Sequence, residues 1–207
     1  MDPISALAEK LMRLPGIGPR QARRIAYALL ALGPAVSREL ALAITRLGDE
    51  TAQCERCYRF FPASAQAKQA LCSECSDTGR DASIVLIVER DTDLDAIRKS
   101  GTYEGRFFVL GGNIPILESD PAKKIRIKEL LAEVTRAARE DGLHEIIIAT
   151  SANEEGEYTA QYVTKTLEPT TLPAQIVITS LGRGLSTGAE LEYADKETLR
   201  NALKNRG

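Results

Sequence analysis

The chain has 207 residues, enough for one large domain or two to three small ones. Its net charge of −2 and pI near 5.7 give no reason by themselves to expect nucleic-acid binding, so any DNA-binding face must be a local basic patch. The longest apolar stretch, residues 25–32, is far shorter than the roughly 20 residues that cross a bilayer, which predicts a soluble protein with no membrane partner.

The N-terminal segment is predicted to be helical. Apolar residues recur at helical spacing over residues 4–14, again from about Pro19 to residue 30, and a third time over residues 37–47. The first two helices are joined by a turn that contains Gly16 and Gly18. A turn of this kind lets a ligand approach the backbone without obstruction by Cβ atoms, and it turns the first amides of the second helix outward. The pattern therefore predicts an anion site suited to a phosphate.

The charges around this turn are all positive. No acidic residue occurs between residues 11 and 38, whereas four arginines lie in and around the turn: Arg13, Arg20, Arg23 and Arg24. The segment resembles the helix-hairpin-helix motif, which implies contacts with the DNA backbone that position the protein without reading bases. The alternative is a plain helical hairpin with a glycine turn.

The four cysteines form two Cys-x-x-Cys pairs, which are Cys54/Cys57 and Cys72/Cys75. This spacing is typical of a structural Zn²⁺ site, in which four thiolates fill the tetrahedral positions and leave none open for catalysis. Two disulfides or a redox dithiol are the alternatives. No apolar secretory segment occurs in residues 1–14, which favours zinc.

After the cysteines, strands and helices alternate, which predicts a parallel sheet with crossover helices. The predicted strands are residues 84–88, 107–110, 145–149 and 175–179, and the predicted helices are residues 91–99, 123–140, 154–167 and 195–204. Sites in such sheets form at the carboxyl ends of strands, so Glu89 is expected to face the loop of residues 151–157. His144, the single histidine, is expected at the surface, and no catalytic residue is predicted.

A carboxylate after one strand and an acidic loop after another resemble a Toprim domain, the catalytic domain of primases and several topoisomerases. Residues 149–157 match the frame of that loop, but Ser151 and Asn153 occupy the positions of its two metal-binding aspartates. Mg²⁺ sites usually depend on carboxylates, so we expect a Toprim scaffold kept for binding. Glu89, Glu155 and Glu157 could hold a metal weakly, and glutamates favoured at a helix N-terminus are the structural alternative for Glu155 and Glu157.

The order of these parts resembles the RecR family of bacterial recombination mediators over the whole length of the chain. The resemblance is strongest in residues 14–19, 109–112 and 190–195, and it extends to a glycine-rich stretch at residues 182–185. It implies a non-enzymatic homotetramer that forms a ring around DNA in the bacterial cytoplasm, at the nucleoid. It also implies that the chain works with RecO and RecF to load recombinase on gapped DNA. A metal-dependent nicking or topoisomerase-like enzyme is the alternative.

The resemblance also implies roles for single residues. Arg20 and Arg24 are expected to touch phosphates, with Arg13, Arg23, Gly16 and Gly18 completing the DNA-binding turn, whereas Glu89, Glu155 and Glu157 are expected to contact partner proteins. The predicted fold is a multi-domain α/β arrangement. Its parts are a helix-hairpin-helix domain (residues 1–52), a zinc finger (53–80), a Toprim domain (81–168) and a C-terminal strand, glycine-rich loop and helix (169–207).

Four features depart from the family's usual pattern. The cysteine pairs are set further apart, which predicts a longer loop through residues 63–69. Residues 113–120 and 151–153, which follow predicted strands, also differ from the usual sequence, as do residues 185–189. These changes cluster on the strand-end face.

Overall fold

The structure is a computed structural model that describes residues 2–63, 71–182, 184, 185, 188 and 190–204. The expected longer loop between the cysteine pairs, except for Ala63, lies outside the described residues, as do residue 183 of the glycine-rich stretch and residues 186, 187 and 189 after it. The chain divides into two compact units, one built on Met1–Ala52 and the other on Gln53–Phe61 together with the chain from Gln69 onward. Among the described residues, no helix has the length and apolar character needed to span a membrane.

The first unit consists of three helices. They are α1 (Pro3–Leu11), α2 (Pro19–Leu32) and α3 (Pro34–Asp49), and each has proline in its first turn, where a missing amide hydrogen costs nothing. The carboxylate of Asp2 caps α1 by accepting hydrogen bonds from two amides of the first turn. The prediction that the first helix reaches residue 14 is wrong, because α1 ends at Leu11 and a turn follows.

This unit has little interior of its own. Its buried apolar residues in the described part of the chain are three alanines, Ala8, Ala22 and Ala26, and no residue of α3 is buried there. Large apolar side chains on α2 and α3 are instead exposed, among them Leu30 at 65% and Leu47 at 69%. Such a surface on a small helical unit is typical of an interaction face.

Short elements frame the cysteines. They are β1 (Thr51–Gln53), β2 (Phe60–Pro62) and a single helical turn, α4 (Ser73–Ser76), with β1 and β2 forming a two-stranded sheet.

The second unit contains a four-stranded parallel sheet in the order β4-β3-β5-β6. The strands are β3 (Asp81–Val88), β4 (Gly105–Val109), β5 (Glu145–Ala149) and β6 (Val177–Ser180), and the helices are α5 (Asp91–Ser100), α6 (Ile127–Glu140), α7 (Glu154–Thr171) and α8 (Lys196–Lys204). Strand β3 is buried on both faces, as its apolar run predicts. Ile87 lies in a large core with α6 and α7, whereas Leu86 and Val88 pack with Leu94 of α5 on the other face.

Two helix bounds differ from the prediction. The helix expected over residues 123–140 begins only at Ile127, because Pro121–Lys123 form a separate 3-10 turn. Helix α7 continues past its expected end to Thr171 and contains Pro169. On α6, Ile127, Leu130 and Val134 are buried, whereas Leu131 is half-buried at the margin of the core.

Candidate functional site

The hairpin turn between α1 and α2 lies open to solvent. Arg13, Arg20, Arg23 and Arg24 are all exposed, and the turn is closed by a hydrogen bond of 3.3 Å from the amide of Ile17 to the carbonyl of Leu14. The basic residues that the sequence selects therefore share one exposed segment. An exposed cluster of guanidinium groups produces a positive local field on a protein whose net charge is negative.

The two glycines of the turn differ in what the fold requires. Gly16 has a φ of +78°, in the left-handed region that favours glycine, so the turn itself demands it. Gly18 has an ordinary φ of −84° as the N-cap of α2, and a Cβ atom placed there would meet no other atom within 4 Å. Glycine is among the residues favoured at an N-cap, but neither the backbone angle nor the packing of the chain requires it at position 18.

The four cysteines form a buried cluster. Their Sγ atoms all lie within 4.8 Å of one another, and Cys57 Sγ and Cys72 Sγ are 3.6 Å apart. A tetrahedral zinc ion with Zn–S bonds of about 2.3 Å places its sulfurs about 3.8 Å apart, whereas a disulfide needs about 2.05 Å. All four are free cysteines, so the disulfide alternative is wrong and the cluster can hold a metal ion.

The chain around the sulfurs is arranged to support this cluster. The amide of Tyr58 donates to the carbonyl of Cys54 at 3.0 Å, and the amide of Cys72 points at Cys54 Sγ at 3.4 Å, which suits an ionised thiolate acceptor. The neighbouring sulfur of Cys54 raises the pKa of the Cys57 thiol, and burial raises it further. A bound dication removes this penalty by attracting the thiolates, so metal binding and deprotonation are coupled.

At the carboxyl end of β3, Glu89 faces the loop after β5, as predicted. Only 2% of Glu89 is exposed, and both of its carboxylate oxygens accept hydrogen bonds from Ser151. The amide of Ser151 donates at 2.9 Å and its hydroxyl at 2.8 Å. This buried carboxylate is thus stabilised by neutral donors of the chain.

The second altered Toprim position is also used by the fold. Asn153 is the N-cap of α7, and its Oδ1 accepts a hydrogen bond of 2.8 Å from the amide of Gly156. Glycine is required at position 156, because a Cβ there would approach the carbonyl oxygen of Ser151 to within 2.1 Å. The two residues that replace the metal-binding aspartates therefore stabilise the loop directly.

The three predicted acids differ in accessibility. Glu155 is half-buried and accepts a hydrogen bond of 3.1 Å from Asn113, and Glu157 is exposed on the first turn of α7. Glu89 is buried, so it could influence a partner only through the loop that it holds. Ser151 and Asn113 are the residues here that sequence reasoning undervalued, although each follows a predicted strand in a departing stretch.

Other contacts that the sequence did not reveal join the cysteine segment to the sheet. The amide of Val109, on edge strand β4, donates to the carbonyl of Cys57 at 2.9 Å, and the amide of Phe60 donates to Asp91 Oδ1 at 2.7 Å. Arg106, also on β4, donates to the carbonyl of Cys75 at 2.7 Å. The cysteine segment therefore covers the β4 edge of the sheet, a common way to protect an edge strand. Arg106, an arginine within an otherwise apolar strand, was the signal in the sequence that could have indicated this contact.

His144 is exposed, and its Nδ1 lies 2.9 Å from the carbonyl oxygen of Ser83. This places it at the surface, as the sequence predicts.

Taken in chain order, these parts define a class of protein that joins a helix-hairpin-helix unit to a four-cysteine cluster and a Toprim-type parallel sheet. Family models match in the same order: "RecR, helix-hairpin-helix" over residues 4–47, "Toprim domain" over residues 83–179 and "RecR, C-terminal" over residues 184–206. The chain is 36% identical over 204 residues to Recombination protein RecR of Mycobacterium leprae (strain TN), covering 99% of this chain and 96% of that protein. It is 38% identical over 206 residues to Recombination protein RecR of Mycobacterium sp. (strain KMS), with the same coverage.

The chain belongs to the RecR family of recombination proteins, and its role lies in recombination and repair.

Proposed function

We propose that this chain is a DNA-binding recombination mediator without catalytic activity, which assembles as a homotetrameric, ring-like clamp. In this proposal it works with RecO and RecF to load recombinase on gapped DNA at the nucleoid. The observation that carries the proposal is the exposed hairpin turn, where Arg13, Arg20, Arg23 and Arg24 surround a glycine that the fold does not require.

Gly18 is the most specific part of this observation. Other residues could adopt the backbone conformation of Gly18, and an added Cβ would have free space around it. Its glycine is best explained by a ligand that approaches from outside the chain. The guanidinium groups nearby select an anion, and a phosphate backbone offers a row of them. Contacts of this kind position DNA without reading its sequence, so we propose binding that does not depend on sequence.

Assembly into a homotetramer is supported by the exposed apolar surface of the first unit. An apolar groove lined by Leu7, Leu29, Leu40 and Ile44 runs between its helices, and α3 exposes further leucines. A second copy of the chain could cover this surface, and a tetramer would multiply the number of hairpin turns that contact one DNA molecule.

We propose Zn²⁺ as the ion of the cysteine cluster and a structural role for it. Four soft thiolates at tetrahedral spacing favour zinc, and a closed ligand set leaves no position for a substrate. Cys54, Cys57, Cys72 and Cys75 would each supply one ligand.

The Toprim site is proposed to bind partner proteins. Ser151 donates hydrogen bonds to Glu89, and Asn153 caps α7, so the site needs no dication to compensate a pair of adjacent carboxylates. Glu155 and Glu157 would then offer negative charge to RecO or RecF, and Glu89 would hold the loop. The domain bounds 1–52, 53–80, 81–168 and 169–207 stay predictions within this proposal.

The test compares two double variants of the full chain on gapped DNA over a series of salt concentrations. Arg20→Ala with Arg24→Ala removes two proposed phosphate contacts in each protomer. Each contact contributes about 0.9 to the salt slope on duplex DNA, so the slope should fall by about 1.8 or more. Arg38→Ala with Arg46→Ala, which makes the same charge change on α3, is the matched control and should change the slope much less.

Strand breaks are scored in the same samples with Mg²⁺ present. DNA that is bound and unbroken agrees with the proposal. Equal slopes for the two double variants would remove the hairpin from the interface, and Mg²⁺-dependent breaks that Glu89→Ala abolishes would favour the nicking enzyme instead.

A further inference from the structure

The second cysteine pair encloses a glutamate that is surrounded by arginines. The carboxylate of Glu74, whose side chain is 13% exposed, forms an ion pair with Arg80. Two further guanidinium groups approach Glu74 Oε1, that of Arg59 at 3.8 Å and that of Arg98 at 3.7 Å. Arg106 donates to the carbonyl oxygens of Glu74 at 3.3 Å and of Cys75 at 2.7 Å. We call Arg59, Arg80, Arg98 and Arg106 the arginine cluster.

Several arginines of this cluster share one carboxylate. The guanidinium groups of Arg59, Arg80 and Arg98 all approach Glu74, and Arg98 also lies 3.4 Å from Asp95. Arg59 is 8% exposed, and its distance of 3.8 Å is the longest of these ion pairs. A buried guanidinium that shares its carboxylate in this way is only partly compensated, so a further anion beside it would stabilise it.

Hydrogen bonding to the arginine cluster is also incomplete. In the described part of the chain, two buried side-chain nitrogens have no hydrogen-bond partner, and they are Arg59 Nη1 and Arg106 Nε. Both belong to the arginine cluster. Buried guanidinium donors are normally satisfied, so two orphans in one place require an explanation.

A metal-loaded cysteine cluster would be such an anion. A divalent ion bound by four thiolates has a net charge of −2. The backbone keeps the two groups adjacent, because Cys54 donates its amide to the carbonyl of Arg59 at 2.9 Å and Arg106 reaches the carbonyl of Cys75. Residues around metal ligands commonly tune affinity in this way.

We infer that the arginine cluster is the counter-charge of the metal-loaded cysteine cluster, with Arg59 and Arg106 as positioning residues that stabilise its thiolates. This inference rests on the metal site proposed above. Since Arg106 lies on β4 and Arg98 on α5, the same charges link metal loading to the edge of the Toprim-type sheet. The metal then stabilises more than the cysteine segment.

The test measures metal affinity and thermal unfolding of the full chain with Arg59→Met, Arg59→Lys and the control Arg139→Met. Arg139 is exposed on α6, so its variant makes the same charge change away from the cluster. Co²⁺ titration, followed by the charge-transfer absorption of cobalt thiolates, gives the affinity. Arg59→Met should weaken binding by about 10–100-fold, the usual effect of a residue next to the ligands. Arg59→Lys keeps the charge and should recover most of the loss, whereas Arg139→Met should match the native chain.

Unfolding separates charge compensation from packing. Arg59→Met should lower the melting temperature of the loaded protein, but it should leave the metal-stripped protein unchanged or more stable, because it removes a buried charge that shares its carboxylate with two other arginines. Equal losses in both states, or a Lys variant as weak as the Met variant, would overturn the inference. Arg106→Met provides a second substitution with the same expectation if the Arg59 variants do not fold. A native chain that binds no metal would overturn the metal assignment together with the inference.

Discussion

An aspartate at position 151 tests whether the hydrogen bonds from Ser151 stabilise the buried carboxylate of Glu89. In Ser151→Asp, the hydroxyl that donates to Glu89 Oε2 at 2.8 Å is replaced by a second carboxylate close to a buried one. A hydrogen bond to a charged acceptor is worth about 1.5–3 kcal/mol. Two like charges about 4 Å apart repel by about 4 kcal/mol at an effective dielectric constant of about 20.

Ser151→Asn is the matched control, because it has nearly the same shape as the aspartate variant and no charge. We expect the free energy of unfolding of the aspartate variant to lie about 4 kcal/mol below that of the asparagine variant at neutral pH, a large part of the stability of an ordinary domain. Urea unfolding of the zinc-loaded protein, followed by circular dichroism in Mg²⁺-free buffer, measures this difference.

The dependence of this stability difference on Mg²⁺ and on pH provides two further checks. Mg²⁺ should recover part of the loss in the aspartate variant alone, because a dication can bind between two carboxylates. Acid should do the same, since repulsion raises the pKa of one carboxyl of the pair and its protonation on lowering the pH removes the repulsion. Equal stability of the two variants at neutral pH, unaffected by Mg²⁺, would refute the view that this site is built around a single carboxylate held by neutral donors.

Three further predictions concern other parts of the chain. Gly16→Ala should cost about 1–2 kcal/mol of stability because of its positive φ. Gly18→Ala should cost less, since it loses only the N-cap preference for glycine over alanine, but it should weaken DNA affinity, as measured by thermal unfolding and fluorescence anisotropy. Cys72→Ser should lose the bound metal and lower the melting temperature, since metal binding and folding are one equilibrium; metal content that stays at the native level would refute this. Hydrogen bonding to Arg136 lowers the pKa of Asp141 below 3.8, so this carboxylate stabilises the fold above that pH and the contribution is lost as the pH falls further. Asp141→Asn should therefore flatten the acid side of the stability profile, and an unchanged profile in urea unfolding would contradict the assignment.

The type and order of most elements follow from the sequence. Runs of apolar residues with helical or strand spacing predict all four strands of the parallel sheet, and Pro19 marks the start of α2, whereas α3 begins at Pro34, before its expected start at residue 37. The errors lie at element ends. Helix α1 stops before its apolar pattern does, and α6 starts at Ile127, where the chain leaves a 3-10 turn. Such ends depend on local hydrogen bonds that periodicity does not contain.

The candidate sites divide in the same way. The spacing of the cysteines predicts their cluster, because a pair separated by two residues can place both sulfurs on one ion. Likewise, the basic residues and glycines of the hairpin turn are close together in the sequence, so they can be identified without knowledge of the fold. A site whose residues lie close together in the sequence can therefore be predicted without a structure.

Tertiary structure alone decided which charges are paired. Glu89 and Ser151 are distant in sequence, and only the parallel pairing of β3 with β5 brings them within hydrogen-bond distance. Arg59 and Arg106 meet the second cysteine pair through a chain reversal and an edge strand. The sequence by itself determined the parts and their order, because these depend on short-range patterns. Burial and pairing of charge depend on distances between remote segments, and the folded chain alone fixes those distances.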